Sequence, residues 1–132
     1  MTDPTKVITL GAIKLVMPST ARMVRLYKSC PTAATAYTME EAGVDYIVPT
    51  AKKLWILKSQ FYANAATSTL KIWKHTVADT VGGTQIDSLY LTAATLESYD
   101  HFISVEAAKY VNVIPDFSNA NQMSIYGIEL DV

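Results

Sequence analysis

The sequence predicts an all-β protein, an antiparallel β-sandwich of jelly-roll type with about eight to nine strands. Three observations carry that expectation. Apolar and β-branched runs recur along the chain and are broken by turn residues roughly every 8–12 positions. Within the runs, apolar residues alternate with the period of two that strands impose. No stretch keeps a helical apolar period for three turns. An immunoglobulin-like sandwich is the competing topology, but Cys30 is the only cysteine, so the Cys…Trp…Cys spacing of that fold is missing.

The elements follow in chain order. Residues 6–16 read as one strand, with Val7, Thr9, Ile13 and Leu15 on one face and Ile8, Leu10 and Val16 on the other. Pro18-Ser19-Thr20 ends it. Residues 22–28 form a second strand, with Val24 and Leu26 on the buried side and Met23, Arg25 and Tyr27 facing out. A Ser/Thr/Ala/Pro connection over 29–36 leads to a short edge strand at 37–39 and a turn at Glu40-Glu41-Ala42-Gly43. A helix over 33–42 is open on propensity, but Thr35, Tyr37 and Thr38 weigh against it.

The chain is organised around residues 44–75. Tyr46-Ile47-Val48 is a short strand ended by Pro49-Thr50-Ala51. Residues 54–62 form a long strand, Asn64 to Ser68 a loop, and residues 69–75 another strand. Simple alternation points Leu54 and Ile56 one way and Trp55, Leu57 and Phe61 the other. A strand apolar on both faces is covered on both faces, and in a chain of this length a second copy is the expected cover. Gly82-Gly83 then makes a hairpin-type turn. Strands follow at 85–92, at 96–105 (where Tyr99, His101, Ile103 and Val105 share a face), at 109–114 and at 122–131. The last places Met123 and Ile125 on one side and Tyr126, Ile128 and Leu130 on the other.

With 132 residues the chain has the length of one domain. Half of its residues are hydrophobic and 17% are charged, below the ~25% usual for globular proteins. That deficit suits a protein that hides surface in an assembly. A net charge of −1 gives no electrostatic case for nucleic acid or an anionic membrane. The apolar run at 7–17 is interrupted by Lys14, lacks a basic start and is too short to span a bilayer, so manufacture in the cytoplasm without a signal peptide is expected. The single thiol of Cys30 allows no disulfide within the chain and reads as a buried side chain.

No residue cluster amounts to an active site. His75 and His101 have no H-x-H, H-E-x-x-H or C-x-x-C spacing, so no metal and no cofactor is expected. Asp100-His101 lacks a nucleophile elbow, and a serine would complete a triad only by coincidence. Gly82-Gly83-Thr84 lacks the lysine and the following helix of a phosphate loop. The aromatics Trp55, Trp73, Tyr62, Tyr90 and Tyr99 suit either of two roles. They form a platform for sugar rings, with Asn112, Asp116 or Asn119 supplying hydrogen bonds, or they lie in an interface, where Trp and Tyr are enriched. The expected interface set is Trp55, Phe61, Trp73, Tyr126 and Ile128.

Tyr46-Ile47-Val48-Pro49, Lys52-Lys53-Leu54-Trp55-Ile56-Leu57, Thr69-Leu70-Lys71-Ile72-Trp73-Lys74 and the closing Ile125-Tyr126-Gly127-Ile128-Glu129-Leu130 resemble small β-sandwich proteins of tailed-phage particles. These include head decoration (cement) proteins and fibre or accessory domains, and the resemblance covers about two thirds of the chain. In them a V-P-x-x-K turn joins two strands and a G-x-E-L ending seals the last. Ala51 stands where glycine is expected before the turn lysine. The resemblance implies a non-enzymatic virion protein, often a homotrimer, docked on a larger assembly such as a phage capsid. A carbohydrate-binding module, with glycans as partners, is the alternative.

Overall fold

The computed structural model describes residues 5–10, 13–63, 68–91, 95–118 and 121–132. Residues 64–67 of the loop expected over 64–68, residues 92–94 and Asn119 lie outside these, and Ser68 already belongs to a strand. Every described element is a strand. The first two, β1 (Thr5–Leu10) and β2 (Ile13–Pro18), pair with each other as a separate antiparallel hairpin. The single long strand expected over 6–16 is therefore two, and Ile8 sits opposite Leu15.

The other strands form two antiparallel sheets. They are β3 (Arg22–Ser29), β4 (Tyr37–Thr38), β5 (Glu40–Glu41), β6 (Val44–Asp45), β7 (Lys52–Ala63), β8 (Ser68–His75), β9 (Thr84–Leu91), β10 (Thr95–Val105), β11 (Tyr110–Pro115) and β12 (Gln122–Asp131). One sheet runs β10-β7-β12-β3-β5-β6 and the other β4-β11-β8-β9. From β3 onward the chain passes repeatedly between sheets, which is the winding of a jelly roll. Residues 46–48 make only a single bridge, Ile47 to Tyr110, in place of the expected strand.

The two sheets pack through Val24, Leu26, Leu54, Ile56 and Phe61 on one side and Leu70, Ile72, Leu89, Val111 and Val113 on the other. Burying each of these side chains contributes roughly 1.5–3 kcal/mol. Phe61 corrects the expected alternation. The pairing of β7 slips against β12 between Tyr126 and Gly127, and against β10 between Asp100 and Ile103. A bulge at Leu57-Lys58 shifts the inward set from Leu54 and Ile56 to Ser59, Phe61 and Ala63, all buried. Phe61 is a core residue, with none of its surface left for a neighbour.

Two glycines are dictated by space. A Cβ on Gly127, beside that bulge, would sit 2.5 Å from the Trp55 carbonyl oxygen and 2.9 Å from Leu54 Cδ1. A Cβ on Gly83 would strike the Lys74 carbonyl oxygen, and Gly83 also has φ +88°. Gly127→Ala is expected to lower stability by about 1–3 kcal/mol in urea unfolding, because β7 must move. Gly82, at φ +106° with open space around it, should lose only about 1 kcal/mol as alanine.

Candidate functional site

Among the described residues, two connected groups of charged and polar side chains are candidates for a site. At one end, Glu129 is buried and accepts from Arg22 Nε (3.1 Å) and Nη2 (2.8 Å) and from the Tyr46 hydroxyl (2.7 Å). Arg22 also reaches Glu41 at 2.7 Å. Alternation along β12 turns Gly127 and Glu129 inward together, so the G-x-E-L ending seats a spaceless residue and a buried carboxylate on one face. Burial alone would push the Glu129 carboxyl up. The guanidinium and the phenol outweigh it and hold the group below the usual carboxylate range. The adjoining groove, lined in part by Arg22, Glu41, Asp45 and Tyr46, offers a ligand no uncommitted cation, because Arg22 is already shared by two carboxylates.

The second group is a chain of three. His101 Nδ1 lies 2.8 Å from Asp87 Oδ2, and His101 Nε2 lies 2.6 Å from Ser59 Oγ. A carboxylate only accepts, so Nδ1 carries a proton directed at Asp87. The order is that of a hydrolytic triad, but the access is reversed. Ser59 has no exposed surface, the His101 side chain is 2% exposed, and the open end is Asp87 at 34%. Ser59 is flanked on both sides by paired strands, opposite Tyr99 and Ile125. Its neighbouring backbone N–H groups therefore belong to the sheet and offer no oxyanion hole. The chain joins β7 and β10 of one sheet to β9 of the other as a satisfied polar bridge. Sequence reasoning named His101 but paired it with Asp100. Asp87 and Ser59 come together only through the fold.

The remaining sequence candidates separate. His75 ends β8 and accepts the Val77 N–H at 2.8 Å. Asn112 is buried, taking the Thr38 hydroxyl at 2.8 Å and donating to the Val77 and Thr80 carbonyls. Asp116 accepts the Thr69 N–H at 2.6 Å. Among the described residues, no three His, Cys, Asp or Glu side chains are grouped to hold a metal. Trp55 and Tyr62 lie on β7, Trp73 and Tyr90 on the opposite sheet, and Tyr99 packs against the core. These five aromatics therefore do not make one plane. Trp73 is half-buried beside Asn112, with its Nε1 buried and unpartnered among the described residues.

One row of the outer face of the six-stranded sheet is apolar, between neighbouring rows that carry Arg25, Lys58, Gln60 and Ser124. Across the strands, Trp55 lies opposite Ile128, and Ile128 opposite Met23. Trp55 stacks on Phe102, with ring centroids 4.8 Å apart and planes 30° apart, and Lys53 Nζ lies 5.9 Å from the Trp55 ring. Phe102 is 78% exposed and Met23 49%. Tyr126 takes the Arg25 guanidinium over its ring at 5.6 Å. Ile128 points outward as expected but is fully covered by its own chain, in a cluster with Ile8 of β1 and Ala21, flanked by Leu15, Met17, Leu57 and Leu130. Of the expected interface set, Trp55, Trp73 and Tyr126 keep exposed surface, whereas Phe61 and Ile128 do not. Phe102, missed in the sequence, is the most exposed aromatic of this face.

Cys30 is buried, its Sγ 3.6 Å from the Lys28 carbonyl oxygen. Burial pushes its thiol up to about 12. It is expected to resist iodoacetamide at pH 8 in the folded protein and to react once urea unfolds the chain, as followed by mass spectrometry. Rapid labelling under native conditions would contradict this placement.

No family model matches the chain, and no curated protein matches it. Among solved structures it is similar to one from Bacillus endospore appendages, described as forming a novel family of disulfide-linked pili. The TM-score is 0.50 at 11% identity, over 98% of this chain and 91% of the other. The likeness is one of fold, an all-β jelly-roll-like sandwich.

Proposed function

We propose that this protein is a non-enzymatic structural subunit that associates with copies of itself. We further propose that its setting is a tailed-phage virion, where it serves as a capsid decoration protein, most simply a homotrimer. The observation that carries the first part is the exposed apolar side chains of Phe102, stacked on Trp55, and of Met23, which flank the covered Ile128 on the outer side of the six-stranded sheet. The low content of charged residues supports the same reading, and the jelly-roll winding suits it. The sealed Ser59–His101–Asp87 chain gives no support to hydrolysis. The phage setting rests on the resemblance of residues 44–130.

Phe102 stacked on Trp55 also favours a second reading, a glycan-binding face, and one variant separates the two. Phe102→Asp should shift sizing chromatography to a smaller species that stays folded by circular dichroism, with a melting temperature that no longer depends on concentration. An oligomer that stays intact but loses binding on a glycan array would replace self-association with sugar recognition.

A further inference from the structure

We infer that the β1–β2 hairpin is an exchangeable arm, which each copy lays on the six-stranded sheet of a neighbour; this rests on the self-association proposed above. The hairpin forms its own two-stranded sheet and shares no backbone ladder with the body. Side chains alone hold it: Ile8, with Leu15 and Met17 beside it, against Ala21, Ile128, Leu57 and Leu130. None of these contacts requires that arm and sheet belong to one chain. The tether is Pro18-Ser19-Thr20-Ala21, closed by an Ala21 N–H to Pro18 carbonyl bond of 2.9 Å. Opening that turn gives up this bond and the Thr20 hydrogen bond to Asp131 of β12, and lets the tether extend to about 10 Å. Exchange then replaces each intrachain contact by its interchain twin, which is why it is a low-cost route to assembly.

Two features favour the exchanged form. The receiving surface is continuous with the apolar face, since Ile128 lies opposite both Trp55 and Met23. Copies meeting on that face bring each arm beside the other copy's receiving site. The outer side of the hairpin carries the cross-strand pair Val7 and Val16, 61% and 71% exposed, an apolar pair that a lone subunit leaves in water.

The test uses full-length chains with Ile8→Cys and Ile128→Cys. Two differently tagged single variants are mixed, refolded together from urea and oxidised, and the double variant is oxidised separately. Exchange predicts disulfides between the two tagged chains, and species of twice the subunit mass or more from the double variant on non-reducing gels. An oligomer by light scattering whose double variant gives only an intrachain disulfide overturns exchange and leaves self-association standing. A monomer with an intrachain disulfide overturns both. If the buried cysteines prevent folding, Leu15→Cys with Leu57→Cys and a short bis-maleimide give the same readout from the rim of the cluster.

Discussion

Phe61→Ala is expected to cost about 3–5 kcal/mol of folding stability without freeing folded monomers. Phe61 has no exposed surface and sits at the centre of the packing between the sheets, with Leu26, Met123 and Leu70 in the same cluster. Truncating it removes the ring from the core and leaves a cavity that paired strands on both sides of β7 cannot collapse to fill. Such a loss is a large share of the roughly 5–15 kcal/mol that holds a domain together. Urea unfolding should show a much lower midpoint with a similar slope. Folded monomers of wild-type stability would instead put Phe61 in the interface and contradict the bulge at Leu57-Lys58.

Glu129→Ala is the second large effect, about 3 kcal/mol, because it strands the buried Tyr46 hydroxyl and removes the partly buried partner of Arg22. Arg22 keeps Glu41 and stays half-exposed, which limits the loss. The same network sets a pH dependence. The folded-state pKa of Glu129 is depressed, so its contribution is fully present above the unfolded value of about 4.3. It is lost as pH falls from about 5 through the lower folded value. Glu106, held low by Lys74, acts in the same direction. Glu129→Gln should therefore be less stable than wild type at pH 7 and lose less on acidification to about pH 3. An unchanged acid limb would contradict the depressed carboxyl.

Much of the architecture is legible in the sequence because alternation is a local property. β3, β7, β8 and β12 can be read from their own residues, and Leu54 and Ile56 share a face as alternation says, with Val24 and Leu26 on the buried side of β3. Register is not local. The bulge in β7 leaves no mark on Leu57-Lys58-Ser59, yet it reverses the side of Phe61. The hairpin is missed because the β-branched run continues past Gly11, the one breaker available. Ser59, Asp87 and His101 stand on three strands of two sheets, so no spacing announces them. Cover is not legible either, since Ile128 faces outward as read but β1 and β2 lie over it. The G-x-E-L ending was visible as a pattern, and its physical reason, a glycine with no room for Cβ and a glutamate turned in to Arg22 and Tyr46, needed the fold.

Another copy is expected to cover the apolar part of the outer sheet face around Phe102 and Trp55 that the hairpin leaves open. Multi-angle light scattering over a concentration series tests it most directly, since a stable interface of about 800 Å² per subunit is expected. The account predicts a mass that is an integer multiple of the 14.5 kDa subunit and falls toward one subunit for Phe102→Asp. A wild-type mass of one subunit at every concentration would contradict it.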